Sequence, residues 1–491
     1  MSKAWKWITD SYHYKIVLLV VTFLYVFPFA MGISGQLLKV FLLWGLVVTA
    51  VTAFRDRTIH KSKFYLSLFV FLGASLIGVV ANYSQNFSRN LIDWFYLIVF
   101  LFLFMYVSPD QSKEKIKEEL SVLSSVFIFL SFLFSFLSFL IFMTNVEMTY
   151  TVDGRDYWIG VFENRLFGIF GNPNTGALIS FLSIVASFVI LTLSQKNKSL
   201  SATKEKSPFE KFTIFNILLQ FIVLYLSNSR SVMVALIVFV LVFLFFYGIH
   251  YLVHTIQKKR VKVLSMMLIL LLGASTVVGS ERIIKTGVSY LPAGLAYVQE
   301  SLNLKSLTNI LDPEEKKQFK PVETDREYLT EDVSNGRFVI WTAGFKVASQ
   351  NIMTGVGNAN VLEEVKPHLS KQFLRATPKM ASNMHNIYLQ ILVSGGILPL
   401  LAFIGFFLLV ILTGFQFLWK KRATKQDFLL PSILFSLLAS LMVENLFDSL
   451  LVGFMFLFVV FIFWTYLGYF LAWVRQDKEA EPSEEDTVSH Q

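Results

Sequence analysis

Long runs of apolar residues alternate with short polar segments along most of the chain. A run of about twenty apolar residues is long enough to cross a bilayer as a helix. We therefore expect an all-α, polytopic membrane protein. The pattern predicts about twelve transmembrane helices, at approximately 15–31, 36–54, 64–82, 91–107, 121–143, 175–194, 212–227, 231–250, 263–280, 387–418, 429–446 and 449–473.

Two of the segments between these runs are too long to be simple turns. They cover residues 145–173 and 281–385, and loops of more than about fifteen residues are uncommon unless they are functional or disordered. The second segment is expected to be ordered, with a helix over 333–350, a turn at 355–357 and a shorter amphipathic piece before Pro367. Its longer helix is predicted to have an apolar face made of Phe338, Trp341, Phe345 and Ala348.

The chain is therefore expected to consist of four parts. Transmembrane helices 1–9 occupy residues 1–280, and a large helical loop domain between helices 9 and 10 occupies 281–385. Transmembrane helices 10–12 occupy 386–474. The remaining residues, 475–491, are polar and acidic and have the composition of a disordered tail.

The composition excludes most classes of soluble protein. The 491 residues are 55% hydrophobic and 16% charged, and they include no cysteine, which excludes a disulfide scaffold and a thiolate site. The net charge of +9 comes mainly from basic loops. Cytoplasmic loops carry an excess of Lys and Arg, so these loops and both termini are expected in the cytoplasm, and the charge is no sign of nucleic acid. The basic loops are 55–63, 113–117, 196–211, 258–262 and 420–425.

This orientation places a small set of charged groups together at the outer face of the membrane. They are Arg230, Arg337, His385, Glu444 and Asp448. Charged residues near membrane depth are costly and are therefore functional candidates. Two guanidinium groups can hold a pyrophosphate, and histidine, which titrates near neutral pH, can take a proton from a hydroxyl.

Each of these residues also has a simpler structural interpretation. Arg230 fits a position among lipid headgroups, and Arg337 fits a surface arginine one helical turn before an aromatic residue. His385 fits an interfacial residue that caps helix ten, and Glu444 and Asp448 fit caps of helix eleven and of a short turn. The presence of two arginines and a histidine on one side is more informative than any one of them.

Four segments carry a resemblance to a known family. They are "RLFGIFGNPNTGA" (165–177), "SNSRSVMVAL" (227–236), "GRFVIWTAGFKVASQNIMTGVGNANV" (336–361) and "MHNIYLQILVSGGILPLLAF" (384–403). In their order and spacing, the chain resembles the O-antigen ligase and Wzy-type polysaccharide polymerase superfamily of bacterial envelope glycosyltransferases. The first five helices resemble nothing beyond a hydrophobic scaffold.

The resemblance implies a metal-independent, inverting transfer of glycan from an undecaprenyl-pyrophosphate donor to an acceptor sugar, with no cofactor. Arg230 and Arg337 would bind the pyrophosphate leaving group, and His385 would activate the acceptor hydroxyl. The implied substrate-binding residues are Arg165, Asn386 and Glu444. Asn174 is expected to cap helix six.

Two departures from the family pattern concern these motifs. Gly395, Gly396 and Pro399 are expected to interrupt helix ten in place of the family's own glycine pattern. The sequence "SNSR" replaces a glycine-rich approach to Arg230, so the exact position of this arginine is open.

The implied partners are the undecaprenyl-pyrophosphate-linked glycan as donor and acceptor, the lipid bilayer, and the flippase and chain-length regulator of the same pathway. We favour a polymerase of capsular or exopolysaccharide repeat units in the cell membrane. The Phe-, Lys- and Ile-rich, Cys-free composition is associated with low-GC Gram-positive bacteria, which lack the lipopolysaccharide core that accepts O-antigen; a Gram-negative origin would reopen the ligase.

Two further alternatives belong to other classes. A flippase or transporter fits twelve helices with both termini inside, but it needs neither the long ordered external loop nor the external Arg, Arg, His set. A metal-dependent glycosyltransferase with carboxylates in its first external loop is disfavoured, because that loop, "GISGQ", contains no acid.

Overall fold

The computed structural model describes residues 2–26, 30–57, 59, 62–152, 155–198, 206–301, 322–324, 336–376, 383–421, 428–452 and 456–479. The helices among these residues are α1 (Lys3–Ile8), α2 (Ser11–Val26), α3 (Met31–Arg55), α4 (Lys63–Ala81), α5 (Phe87–Ile98), α6 (Lys113–Thr144), α7 (Pro173–Lys198), α8 (Pro208–Leu226), α9 (Arg230–Thr255), α10 (Lys259–Ser289), α11 (Leu291–Ser301), α12 (Arg337–Gln350), α13 (Val361–Val365), α14 (Lys371–Ala376), α15 (Ile387–Gly395), α16 (Ile397–Lys421), α17 (Leu429–Glu444) and α18 (Leu457–Glu479). The predicted all-α class is confirmed.

Membrane-spanning helices dominate the described part of the chain. Nine helices there are long and apolar enough to cross a bilayer, and α2 and α17 are apolar but shorter. The predicted run at 91–107 continues from α5 into a π-helical turn, Val99–Leu103, and the run at 387–418 is divided into α15 and α16. Large exposed apolar side chains cover α10, including Leu264, Leu268 and Leu271, as expected for a surface in contact with lipid. The chain is a multi-pass membrane protein; the count of twelve spans stays a prediction.

The chain forms two compact units. The first comprises Met1–Val17, Lys39–Leu120 and Asp332–Gln491. Within it α4 packs against α16, α17 packs against α18, and α12 packs against α15. The helix α18 is apolar on all sides and is almost completely buried, which marks it as a central helix of this unit.

The second unit comprises Leu18–Leu38 and Ser121–Glu331. Its main contacts join α7 with α8 and α9 with α10. It also contains a three-stranded antiparallel sheet in the order β1 (Met148–Val152), β2 (Arg155–Phe162) and β3 (Arg165–Gly168). Phe162 pairs with Arg165 across a tight turn in which both central residues, Glu163 and Asn164, have positive φ.

Candidate active site

His385 lies in a tight turn just before α15. Its φ is +47°, in the left-handed region that non-glycine residues seldom adopt. The side-chain oxygen of Asn383 accepts the His385 backbone N–H at 2.8 Å, and the Asn386 side chain caps α15 by accepting the Leu389 N–H at 3.0 Å. The cap is therefore Asn386, and the side chain of His385 is left for other contacts.

A buried carboxylate contacts the imidazole. The Asp448 Oδ1 lies 3.3 Å from the His385 Nδ1, and the side chains are 3% and 18% exposed, respectively. The same oxygen accepts the Ser449 backbone N–H at 2.9 Å, which fixes the carboxylate. A proton on Nδ1 would be donated to Asp448, and Nε2 would then present its lone pair as a base.

The end of α17 is bonded directly to the His385 turn. The Ile387 N–H donates to the Asn445 carbonyl at 3.0 Å, and the Asn386 Nδ2 donates to the Leu446 carbonyl at 3.2 Å. Glu444 is the last residue of α17 and is buried, 1% exposed. The Asn386 side chain is engaged in these structural bonds. A role in substrate binding for Asn386 or for Glu444 stays a prediction.

The helix that begins at Arg337 is docked on the same turn. Trp341, one helical turn after Arg337, donates its indole N–H to the Met384 carbonyl at 2.7 Å. Gly344 lies one turn further on, and a Cβ there would come within 2.7 Å of the Met384 Sδ. These contacts hold α12 against the residue that precedes His385. Arg337 is partly exposed at the N-terminus of α12, where the helix dipole also favours an anion.

The buried face of α12 differs from the predicted face. Phe338 and Phe345 are 63% and 57% exposed, so the predicted apolar face is not the face that the helix buries. Small and medium-sized residues form the buried face because the helix approaches the His385 turn closely. They are Ile340, Ala343, Gly344, Val347 and Ala348. The predicted helical residues 333–335 lie outside the described residues.

The predicted interruption of helix ten is confirmed at Gly395–Gly396. Gly396 has a φ of +86°, and a Cβ there would lie 2.5 Å from the Met353 carbonyl oxygen. The turn at 355–357 lies beside the break: Val356 N–H donates to the Val393 carbonyl at 2.9 Å, and Gly357 N–H donates to the Ser394 carbonyl at 2.8 Å. The carbonyls at the end of α15 are thereby satisfied without a continuous helix.

Arg230 is the first residue of α9 in the second unit. The preceding turn is held by Asn228, which has a φ of +51° and whose Nδ2 donates to the carbonyls of Asn164 at 2.6 Å and Thr324 at 2.8 Å. Its Oδ1 accepts from Lys285, which is also bonded to Glu281 at 2.6 Å. In the "SNSR" sequence an asparagine, which tolerates the left-handed region, therefore takes the positive-φ position, and its side chain ties the turn to neighbouring segments.

Arg165 supports the same turn. Its Nε donates to the Ser227 carbonyl at 3.1 Å, and its guanidinium NH2 donates to the Asn174 Oδ1 at 2.8 Å. Asn174 therefore does not cap α7 as predicted; the Asn172 Oδ1 accepts the Asn174 N–H at 2.9 Å instead.

The predicted site residues fall into two groups, one in each unit. The first unit holds Arg337, His385, Asn386 and Glu444, and the second unit holds Arg165 and Arg230.

The sequence also predicted Asp448 at the outer face of the membrane but gave no reason to pair it with His385. The two residues are 63 positions apart, and only the packing of α17 against the His385 turn brings them together. Lys285 was likewise missed, because it lies just beyond the predicted span at 263–280 and nothing in the sequence indicates its bond to Asn228.

No curated protein matches the chain. Residues 215–404 match the model of a protein family described as O-antigen ligase. This stretch contains Arg230, Arg337 and His385, whereas Arg165, Glu444 and Asp448 lie outside it. Over residues 215–404 the chain is thus similar to the O-antigen ligase family, which supports the resemblance to the O-antigen ligase and Wzy-type superfamily that the sequence motifs indicate.

Proposed function

We propose that this protein polymerises undecaprenyl-pyrophosphate-linked oligosaccharide repeat units into capsular polysaccharide or exopolysaccharide on the outer face of the cytoplasmic membrane. The observation that carries the proposal is the contact of His385 with buried Asp448, next to the docked helix of Arg337. His385 and Arg337 lie inside the stretch that matches the family. Such an arrangement supplies a base and a cation, the two groups that glycosyl transfer from a pyrophosphate requires.

The reaction begins with proton transfer. His385 Nε2 takes the proton of an acceptor hydroxyl, and the oxygen attacks the anomeric carbon of the donor glycan. The bond between that carbon and the pyrophosphate oxygen breaks, and the electron pair leaves with the lipid pyrophosphate. One displacement of this kind inverts the anomeric configuration. Asp448 stabilises the imidazolium that forms.

The positive groups act on the leaving group. Arg337 would bind the pyrophosphate, because a guanidinium group pairs with phosphate oxygens bidentately and the negative charge grows as the glycosidic bond breaks. The same role for Arg230 stays a prediction from the motif that contains it. Arg165 would act through Arg230, since its guanidinium bonds the turn that precedes that residue. The mechanism needs no metal ion.

The orientation is part of the proposal. The excess of Lys and Arg in the loops at 55–63, 113–117 and 420–425 supports a cytoplasmic position for these loops. His385 and Arg337 would then face the outer side, where lipid-linked repeat units are joined. Cysteine placed singly at Ser112 or Ser349 in this cysteine-free chain would report the two sides by labelling with an impermeant maleimide.

Deletion of the gene tests the function. We expect single lipid-linked repeat units to accumulate on the outer face of the membrane, and polymer to return with the wild-type gene but not with His385→Ala. Intact polymer that remains on its lipid carrier would indicate a ligase instead, the second candidate, which the description of the matching family favours. Repeat units retained in the cytoplasmic leaflet would indicate a flippase.

A further inference from the structure

We propose that Asp93, Asn358 and Gln390 are positioning residues, joined in a hydrogen-bond chain of fixed direction that holds the backbone before His385. The inference rests on the proposed function, because it concerns the placement of the proposed base. All residues of this hydrogen-bond chain belong to the first unit.

Three hydrogen bonds connect α5 to the His385 turn, and a fourth joins that turn to α12. The Asn358 Nδ2 donates to the Asp93 Oδ2 at 2.7 Å, and the Gln390 Nε2 donates to the Asn358 Oδ1 at 3.1 Å. The Gln390 Oε1 accepts the Met384 N–H at 3.0 Å. The Met384 carbonyl accepts from Trp341 at 2.7 Å, so the backbone immediately before His385 is held through both its N–H and its carbonyl.

The direction of the hydrogen-bond chain follows from the groups at its two ends, the Asp93 carboxylate and the Met384 N–H. A carboxylate only accepts, so Asp93 requires the NH2 group of Asn358 and leaves the Asn358 oxygen for Gln390. A backbone N–H only donates, so Met384 requires the oxygen of Gln390 and leaves the Gln390 NH2 group for Asn358. Both amides therefore have one satisfactory orientation, and reversal of either would set two donors or two acceptors against each other.

The hydrogen-bond chain is anchored on three asparagines that precede Asp93 in the sequence. Asn82 Nδ2 donates to the Gly355 carbonyl at 3.1 Å, and Asn86 Nδ2 donates to the Asn360 Oδ1 at 2.7 Å. Asn90, 1% exposed, accepts the Ala359 N–H at 2.8 Å. These contacts, at spacings of four residues, hold the segment that carries Asn358, so the α4–α5 junction supports the site as well as the membrane scaffold.

Burial determines which link matters most. Met384 is 0% exposed and Gln390 is 7% exposed, so water cannot easily replace the bond between them. Asn358 lies at the exposed edge, where water competes with Asp93. Loss of the bond to Met384 would leave a buried N–H without its acceptor and would release the left-handed turn of His385.

The test compares Gln390→Glu, Asp93→Asn and the double variant. The glutamate can still accept from Met384, but it cannot donate to Asn358. Asn358 must then turn its NH2 group towards residue 390 and its oxygen towards Asp93, where two acceptors meet. In the double variant the new asparagine supplies a donor there, so the chain runs in the opposite direction with every bond satisfied and the net charge unchanged.

The assay uses purified full-length protein in proteoliposomes and lipid-linked repeat units extracted from the deletion strain. We expect roughly a tenfold lower turnover number for Gln390→Glu, at most about a twofold change for Asp93→Asn, and recovery to within about threefold of wild type for the double variant. The KM for the repeat units should stay the same in all three. A merely structural role would not give recovery from a second substitution.

Two results would overturn the inference: a double variant no faster than Gln390→Glu, or a Gln390→Glu protein as fast as wild type. If Gln390→Glu fails to fold, Asn358→Ala at the exposed edge replaces it; about threefold slower turnover supports the chain, and unchanged turnover overturns it. Inactive but folded wild-type protein would count instead against the proposed function, so the two failures are distinguishable.

Discussion

Replacement of Asp448 by asparagine tests the role of the carboxylate beside His385. The contact involves one oxygen, Oδ1, which lies 3.3 Å from His385 Nδ1 and 2.9 Å from the Ser449 nitrogen. Asparagine keeps an oxygen at this position and has nearly the same size. Both hydrogen bonds can therefore persist, and the change removes the negative charge that would stabilise an imidazolium.

The magnitude follows from the difference between charged and neutral hydrogen bonds. A hydrogen bond to a charged group contributes about 1.5–3 kcal/mol and a neutral one about 0.5–1.5 kcal/mol, so the charge accounts for about 1–1.5 kcal/mol. We expect Asp448→Asn to lower kcat about tenfold. Asp448→Ala also removes the acceptor that orients the ring, and about a hundredfold loss is expected.

The assay measures glycan transfer per molecule of purified protein and includes a double-mutant cycle with His385→Ala. Because Asp448 is expected to act through His385, the double variant should be no slower than His385→Ala alone. Asp477→Asn is the control, since Asp477 is a second partly buried carboxylate of the first unit, which accepts from Lys113 at 2.9 Å. If Asp448→Asn lowered the residual activity of His385→Ala by the same factor as in wild type, the reasoning would be refuted.

Three further predictions concern the loop helix, the leaving group and the absence of a metal. Gly344→Ala should slow transfer several-fold, because the new methyl group forces α12 away from Met384. Gly405→Ala is the control and should leave the rate unchanged, since a Cβ there meets no atom within 4 Å. Equal kinetic constants for the two variants would contradict the docking of α12 on the His385 turn. Arg337→Lys should restore little of the activity lost in Arg337→Ala, because lysine cannot bind phosphate bidentately, and full turnover in the lysine variant would argue against that contact. EDTA should leave the rate of transfer unchanged; inhibition that added Mg²⁺ reverses would exclude the metal-free mechanism.

Much of the membrane scaffold could be predicted because it depends on local properties. Apolar runs of about twenty residues report bilayer-spanning helices whatever their neighbours. The break in helix ten was also visible, since Gly395 and Gly396 stand together in an apolar run. The sheet at 148–168 was missed, although the Asp153-Gly154 pair between aromatic and β-branched residues is a hairpin signal.

The contacts within the site could not be predicted, because they depend on residues far apart in the sequence. The face of α12 was assigned by its large aromatics, but close approach to Met384 requires the small residues Ala343 and Gly344. Asp448 was expected at the outer face, with the cap of a short turn as its simpler interpretation, and its contact with His385 could not be predicted because it exists only in the folded chain. Asparagines such as Asn86 are common in turns, so their spacing gave no sign of a partner more than 270 residues away.

The most direct test of the central claim is transfer by purified protein. Lipid-linked repeat units extracted from the deletion strain are incubated with wild-type or His385→Ala protein in proteoliposomes, and the glycans are separated by size. We expect a ladder of polymers with wild type, with equal amounts of released undecaprenyl pyrophosphate and new linkages. With His385→Ala we expect no ladder and only the small residual rate that the double-mutant cycle uses. A ladder of normal rate and length from His385→Ala would contradict the role of His385 as the base.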